Sequence, residues 1–318
     1  MSDSRGALRA RAGAPIVAGV RFWQAVAFTE PEQLGPLART AEEVGFHGLT
    51  IDDHLVTPAE VGSTYPYPDT MARLTASLPD AGASLWDPGI PHLDPWVLIG
   101  ALAQVTTTLR FMTYVYVLPL REPFSVAKAL SSAAVLSGNR VVLGTGVGWM
   151  AEEFALTGQR FEGRGARADE MLEVIALLNR GGMVEHHGRS YDFGPLQMAP
   201  APCEPVPVYI GGHSPRALRR AARHDGWVGI NYETADIAPI LARLAACRRE
   251  AGTDGQPFEA VVAFNAAPSV GELRRMEDAG VTAVVNPPWL FHGIPSSSLA
   301  FKQATLEDYA ERYIQRMG

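Results

Sequence analysis

The feature that most constrains the fold of this chain is a regular alternation of short apolar segments with helical segments. Eight apolar segments have the length and residue types of β-strands, and helical patterns lie between them. The predicted strands are residues 15–23, 47–54, 110–117, 140–146, 207–212, 226–230, 258–264 and 282–286. This βα order is typical of a parallel sheet whose faces are covered by helices.

Closure of this sheet into a barrel is favoured over an open, doubly wound sheet. The eight units follow one another without a linker or a break in composition, and a (β/α)8 barrel takes roughly 250 residues before insertions. We therefore predict an α/β fold, a (β/α)8 TIM barrel with insertions at its C-terminal face. We expect residues 1–14 to be a flexible N-terminus and residues 15–318 to form a single barrel domain.

Composition and charge exclude several classes of function. The 27 basic residues are outnumbered by 34 acidic ones and are scattered along the chain, so we expect no nucleic-acid partner. The longest apolar stretch, residues 96–105, is shorter than the roughly 20 residues of a membrane span. We therefore expect a cytoplasmic protein with no membrane partner. Neither Cys203 nor Cys247 has a neighbour at ligand spacing, so no metal site is predicted.

Asp53 and His54 lie at the end of the second predicted strand. On a (β/α)8 barrel the C-terminal ends of the strands carry the active site. A histidine beside a carboxylate can move a proton or bind a ring carbonyl. The alternative is a loop histidine that is satisfied by a backbone carbonyl, and the sequence leaves both interpretations open.

Two irregular segments near the strand ends are rich in aromatic residues. They are residues 55–93, which are long enough for a lid, and residues 287–292 after the last strand. We expect them to wall an apolar pocket across the barrel mouth. The aromatic residues expected to form this pocket are Tyr65, Tyr67, Trp86, Trp23, Trp149 and Trp289.

A glycine-rich turn, Gly144-Thr-Gly-Val-Gly-Trp149, follows the fourth predicted strand. It is not the dinucleotide fingerprint G-x-G-x-x-G, which disfavours a Rossmann dehydrogenase. Glycines allow positive φ and let the backbone approach a flat ligand ring closely, although a tight βα turn would also need them. Glu152 and Glu153 follow in the next predicted helix, where we interpret them as acids stabilised by the helix dipole.

A second glycine turn, Gly211-Gly212, ends the fifth predicted strand. Ser214 and Pro215 have the residue types of an N-cap and a first helical position. Free N–H groups at such a turn bind anions such as phosphate, and further positive charge comes from Arg216, Arg219 and Arg220. The alternative is an ordinary capped helix with solvated arginines.

These motifs together resemble one protein family. The strand that leads into GVGW, the E-E-F that follows it and the R-G-x-R-x-D-E series lie within residues 110–178. With residues 205–227 and the Asp53-His54 pair, they are similar to the luciferase-like monooxygenase superfamily, and most to its branch of F420-dependent oxidoreductases. The resemblance covers nearly the whole chain.

The resemblance implies a flavin or a 5-deazaflavin at the C-terminal mouth of the barrel, with F420 expected and FMN as the alternative. In relatives the third strand is bulged, often at a non-proline cis peptide, which here falls near Tyr114 and Val115. The phosphate tail is expected at residues 211–214. The residues expected to bind the cofactor are Asp53, His54, Thr113, Tyr114, Val115, Thr145, Gly146, Val147, Gly148, Trp149, Gly211, Gly212, His213 and Ser214.

The implied function is hydride transfer between F420 and a small hydrophobic organic substrate. His54 is the candidate catalytic residue. Relatives that oxidise glucose 6-phosphate carry a glutamate after G-T-G, and here that position is Val147, so a sugar phosphate is not the expected substrate. The alternatives are an FMN-dependent monooxygenase and a cofactor-binding barrel without turnover. We expect a homodimer, because relatives often form dimers.

Overall fold

The computed structural model describes residues 19–66, 87–287, 289 and 298–317 of the chain. The expected flexible N-terminus, residues 1–14, lies outside these residues, as do Tyr67 and Trp86.

The described residues form eleven strands. They are β1 Arg21–Ala25, β2 Gly48–Ile51, β3 Arg110–Thr113, β4 Tyr116–Val117, β5 Val141–Gly146, β6 Val184–His187, β7 Asp192–Leu196, β8 Val208–Gly211, β9 Gly226–Tyr232, β10 Glu259–Phe264 and β11 Ala283–Asn286.

Helices connect these strands. They are α1 Leu34–Glu43, α2 Pro95–Leu102, α3 Pro123–Leu136, α4 Ala151–Leu156, α5 Arg164–Leu178, α6 Pro215–Ala221, α7 Ile237–Ala251, α8 Val270–Asp278, α9 Leu299–Tyr309 and α10 Gln315–Met317, with a π-helical turn, Ala310–Ile314, between the last two.

The main sheet is a closed parallel barrel, which confirms the predicted (β/α)8 fold. Its order is β3-β2-β1-β11-β10-β9-β8-β5, and pairing between β3 and β5 closes the ring. The short strand β4 also pairs with β5, so β3 and β4 are two parts of one interrupted barrel strand. β6 and β7 form a separate antiparallel hairpin outside the barrel.

The inside of the barrel is filled by large side chains that lie against glycines on neighbouring strands. A Cβ atom on Gly48 would stand 2.4 Å from Cζ3 of Trp23, and one on Gly226 would stand 2.6 Å from Cδ1 of Tyr209. Trp23 is only 2% exposed and packs in this inner cluster. Trp23 was expected to shape the ligand pocket, and the structure instead places it in the barrel core.

The second core lies between the strands and the surrounding helices. Leu37 and Ile99 of the helices pack in one cluster with strand residues such as Phe111 and Leu143, each of them 1% exposed or less. Successive strand residues point alternately to the two cores, which is why the strands are apolar on both faces. None of the helices in the described ranges combines the length and apolar character that crossing a bilayer requires.

Candidate active site

A cavity of about 910 Å³ opens at the C-terminal ends of the barrel strands. Its volume is near the upper end of the roughly 300–1,000 Å³ found for small-molecule sites. Both glycine turns border it, so the structure brings together the two motifs that lie 65 residues apart in the chain. The predicted cofactor-binding residues that line it are Asp53, His54, Tyr114, Val115, Gly146, Val147, Gly148, Trp149, Gly211, Gly212, His213 and Ser214.

Thr113 and Thr145 are the two predicted cofactor-binding residues that do not line this cavity. The hydroxyl of Thr113 donates to the Gly144 carbonyl at 2.7 Å, and that of Thr145 donates to the Tyr116 carbonyl at 2.9 Å. Both side chains are buried, at 0% and 3% exposure. In the structure these threonines join the interrupted third strand to its neighbour.

The interruption between β3 and β4 contains a non-proline cis peptide between Tyr114 and Val115, at the position implied by the resemblance. The Tyr114 hydroxyl donates to the Gly229 carbonyl at 2.8 Å, across the barrel. The Val115 side chain lies between the ends of two other strands: Cβ atoms on Gly146 and Gly211 would each stand 2.9 Å from one of its methyl carbons.

The glycine-rich segment at the end of β5 is therefore shaped first by packing within the protein. A Cβ on Gly144 would stand 2.0 Å from the Thr113 carbonyl oxygen. Gly148 has φ +74°, and its Cβ would stand 2.5 Å from Cγ1 of Val117. The sequence interpretation, that these glycines let the backbone approach a ligand, did not foresee these contacts. The backbone of residues 146–148 nevertheless lines the cavity.

The second glycine turn leads into α6 as predicted. Gly212 has φ +104°, a conformation that favours glycine, and its carbonyl accepts from Nε1 of Trp227 at 2.8 Å. Ser214 caps the helix, because its Oγ accepts from the N–H of Ala217 at 3.2 Å. Burial, and then the charge of Arg243, lower the pKa of His213 on this turn. This shift favours the neutral form of the imidazole that lines this end of the cavity.

Five arginines line the same end of the cavity. Two of them are already engaged: Arg220 forms an ion pair with Asp169, and Arg164 donates to the Gly148 carbonyl at 3.1 Å. The other three are exposed, and within the described residues they have no carboxylate within 4.0 Å. These three, Arg216, Arg219 and Arg223, are called the arginine row below.

Asp53 is held inside the protein rather than presented to the cavity as a free acid. Nη1 and Nη2 of Arg121 donate to its two carboxylate oxygens, each at 2.7 Å, and the N–H of Val117 donates at 2.8 Å. The Asp53 side chain is 1% exposed and that of Arg121 is 13% exposed. This buried pair fixes the loop after β2 to strand β4.

His54 contacts a residue that the sequence reasoning assigned to another role. Its Nδ1 lies 3.3 Å from Oε2 of Glu153, whose other oxygen accepts from the N–H of Leu55 at 2.9 Å. Glu153 is 2% exposed, so the interpretation as a helix acid stabilised by the dipole missed its main contacts. Burial lowers the pKa of His54, but the hydrogen bond and charge of Glu153 outweigh it, and the net pKa is raised.

A second histidine and carboxylate pair, Asp52 with Nδ1 of His92, lies beside the first. The imidazole rings of His54 and His92 meet edge to face with centroids 5.3 Å apart, and both line the cavity. Phe28 packs on the His92 ring at 6.1 Å. Asp52 and His92 were not among the predicted catalytic or cofactor-binding residues, and the sequence did not reveal that they pair with each other.

The family is decided by a match over most of the chain. A family model described as luciferase-like monooxygenase matches residues 10–287. The chain belongs to the luciferase-like monooxygenase family. The resemblance drawn from the motifs is thereby confirmed.

Two relatives of this luciferase-like protein differ in how much is known of them. An uncharacterized protein of Mycobacterium tuberculosis is 38% identical over 301 residues, which cover 94% of this chain and 100% of that protein. An F420-dependent glucose-6-phosphate dehydrogenase of Amycolatopsis mediterranei is 29% identical over 224 residues, which cover 66% of this chain and 60% of that enzyme.

Solved structures share the luciferase-like barrel at low sequence identity. A monooxygenase from Streptomyces bottropensis matches with a TM-score of 0.72 at 16% identity, covering 93% of this chain and 99% of that one. The coenzyme F420-dependent tetrahydromethanopterin reductase of Methanopyrus kandleri matches with a TM-score of 0.71 at 14% identity, covering 95% and 100%. At these identities the two structures show the fold of this chain.

In this luciferase-like chain, the described end of the long loop is fastened to the start of α4. Glu152 accepts from the N–H groups of Gly62 and Ser63, at 2.7 and 2.9 Å, and the Ser63 hydroxyl accepts from the N–H of Ala151 at 2.9 Å. The rings of Tyr65 and Trp149 meet at 5.2 Å and both line the cavity, as expected of a loop that walls the pocket.

Trp289, also expected to form the pocket, does not line it. It is 4% exposed, and the buried Lys302 ammonium lies 5.5 Å from its ring centroid. Among residues 19–66, 87–287, 289 and 298–317, no three His, Cys, Asp or Glu side chains are grouped so that they could hold a metal ion.

Proposed function

We propose that this protein is an oxidoreductase that transfers hydride between coenzyme F420 and a small hydrophobic organic substrate. The observation that carries the proposal is the arrangement of the cavity, which has an apolar and aromatic end beside two histidines and a basic end beside the second glycine turn. A flat ring with an anionic tail matches both ends.

The residues at the barrel mouth fit a tricyclic ring. Val115 and the backbone of residues 146–148 form one wall without large side chains, because the glycines there cannot carry them. Tyr65 and Trp149 form an aromatic wall, and small apolar residues, Ala25 and Ala263 among them, line the cavity deeper in the barrel. Such a site can hold an apolar ring and exclude water from one of its faces.

The arginine row supports F420 over FMN. FMN ends in one phosphate group, whereas the side chain of F420 continues past its phosphodiester into carboxylate-bearing glutamates. Arg216, Arg219 and Arg223 continue the basic surface beyond Gly212 and have no carboxylate of their own within the described residues. Guanidinium groups pair well with both phosphate and carboxylate oxygens.

When bound, F420 supplies the hydride chemistry, and the protein supplies binding, orientation and the handling of a proton. Val115 and the glycine turn position the ring. His54 holds the proton that must reach or leave the substrate when a hydride is transferred. The aromatic residues of the loop limit the access of water to the reacting carbon.

The walls also support a hydrophobic substrate. Val147 lines the cavity where dehydrogenases of glucose 6-phosphate carry a glutamate, so this chain lacks that proton carrier. Phe28, Tyr65 and Trp149 offer apolar surface next to the paired histidines. We propose that the substrate combines an apolar body with one polar group that reaches His54.

The proposal is tested by titrating the purified protein with F420 and with FMN and following the absorbance and fluorescence of each ring. We expect saturable binding of F420 and at least about tenfold weaker binding of FMN, corresponding to about 1.4 kcal/mol. Tight FMN binding without F420 binding would favour the FMN-dependent monooxygenase instead. F420 binding with no change of redox state across a panel of apolar alcohols, ketones and alkenes would favour a binding protein without turnover.

A further inference from the structure

A buried carboxylate, that of Glu153, lies next to the candidate catalytic residue His54, and the Asp53-His54 motif did not predict this contact. Both oxygens of Glu153 are used by the loop after β2, one by the backbone of Leu55 and the other by the imidazole of His54. A carboxylate with 2% exposure is stable in the protein interior only with such partners. We infer that Glu153 is a positioning residue that holds His54 ready to exchange a proton with a bound substrate.

Glu152, the preceding residue of the same helix, provides a comparison with Glu153, because within the described residues it binds only the exposed loop. It accepts from Gly62 and Ser63 and has no contact with His54 among the contacts of the described residues. Either glutamate could satisfy the positive end of the α4 dipole from the surface. Only Glu153 turns inward, so its burial serves the histidine loop rather than the helix.

Glu153 contacts one of the two ring nitrogens of His54. Its oxygen faces Nδ1, and the inference therefore assigns proton exchange with a ligand to the other ring nitrogen, Nε2. Nδ1 of His92 likewise faces a carboxylate, that of Asp52. The carboxylate partner of a catalytic histidine fixes its tautomer and ring orientation, and it stabilises the protonated form.

The charges around His54 favour the protonated ring. Glu153 approaches from α4, and Asp52 and Asp53 lie in its own loop. Asp53 forms an ion pair with Arg121, and Asp52 pairs with His92. The ring of His92 packs against that of His54. Glu153 is therefore the one carboxylate in direct contact with the His54 imidazole in the described structure.

The consequence for catalysis rests on the proposed function. When the substrate is reduced, it gains two electrons and one hydrogen as hydride, and it also gains a proton. Nε2 of protonated His54 gives up that proton, the N–H bond breaks, and the imidazole becomes neutral. Glu153 holds the ring through its contact with Nδ1, and solvent returns the proton before the next turnover. In the oxidative direction neutral His54 accepts the proton.

The inference is tested on the cofactor-free protein by NMR titration of its histidine side chains, with His54 assigned by its loss in H54N. We expect wild-type His54 to titrate above its ordinary pKa of about 6.5. E153Q should lower that pKa by at least about one unit, a tenfold loss of proton affinity. E152Q is the matched control and should leave the His54 titration unchanged.

E153D keeps the charge at a shorter reach and should restore part of the shift, which a purely structural role would not predict. Equal effects of E153Q and E152Q on the His54 pKa would overturn the inference. If E153Q does not fold, the E153D variant provides the test. Its carboxylate lies farther from His54, so an unchanged, wild-type pKa of His54 in E153D would also overturn the inference. Failure of the protein to bind F420 would remove the proposed function and leave this result unaffected.

Discussion

The side chain of Val115 lies between Gly146 and Gly211, and a Cβ atom on either glycine would stand 2.9 Å from one of its methyl carbons. This contact joins the interrupted third strand to the ends of β5 and β8, the two strands that carry the glycine turns. At this point the same side chain, Val115, lines the cavity and packs between the barrel strands.

We expect Gly211→Ala to lower the free energy of unfolding by about 1–3 kcal/mol, because the new methyl group meets Val115. Combining it with Val115→Ala should cost less than the sum of the two single changes, since the second change removes the atom that clashes. Urea unfolding of the four proteins measures this coupling. Gly100→Ala, whose Cβ would have no neighbour within 4 Å, is the control and should be neutral or stabilising. Strict additivity would show that the contact is absent.

Removal of the Glu153 charge should destabilise the protein in a manner that depends on pH. The pKa of His54 is raised in the folded protein, so its pairing stabilises the fold fully below the unfolded pKa of about 6.5. That stability is lost as pH rises through the folded pKa. The loss caused by E153Q should therefore be larger at pH 5.5 than at pH 9, by about 1–2 kcal/mol. Chemical unfolding at both pH values measures it, and an equal loss would contradict the pairing.

Arg121→Ala should be among the most destabilising single changes near the site. It leaves the Asp53 carboxylate buried without its bidentate partner, which costs about 3–5 kcal/mol. Arg312→Ala breaks an exposed pair with Asp308 and should cost only about 0.5 kcal/mol. Thermal and urea unfolding compare the two variants. A loss below about 1 kcal/mol in Arg121→Ala would mean that Asp53 is protonated or solvated in the folded protein.

The arginine row should discriminate between the two cofactors. The double variant Arg219→Ala/Arg223→Ala should weaken F420 binding about tenfold, the effect of losing one charged hydrogen bond of roughly 1.5 kcal/mol. FMN binding should change less, because its single phosphate needs fewer cations. Added salt should reduce the difference in F420 affinity between the wild-type protein and the double variant, because salt screens the charges of the arginines. Arg249→Ala, on an exposed part of α7, is the control; a similar loss there would show a non-specific charge effect.

The sequence predicts the barrel well because the hydrophobic patterns of strands and helices depend only on residues close together in the chain. Each apolar segment can be recognised from its own residues: β2, β5 and β8 lie within their predicted ranges, and β1, Arg21–Ala25, overlaps the end of the predicted range 15–23. Asp53, His54 and both glycine turns are recognisable for the same reason, since each follows directly from a strand end. Asp53, His54 and glycines of both turns line the same cavity, because the C-terminal ends of the strands in a parallel barrel lie on the same face.

The contacts between distant segments could not be predicted. Glu153 meets His54 across 99 residues, and His92 meets Asp52 across 40 residues. Nothing local distinguishes Glu153 from Glu152; only the fold shows which of them faces inward. Trp23 was misplaced for a related reason, because a strand residue near the barrel mouth points to the inner core or to the pocket according to the packing around it.

The central claim is that one ligand spans the cavity, with its ring at Val115 and the first glycine turn and its tail at the arginine row. The most direct measurement is a crystal structure of the protein with F420 bound. We predict electron density for the deazaflavin ring beside Val115 and His54, with the phosphodiester near Gly212 and the glutamates toward Arg219 and Arg223. Density for the ring at any other place, or a tail that leaves the cavity away from those arginines, would contradict the account.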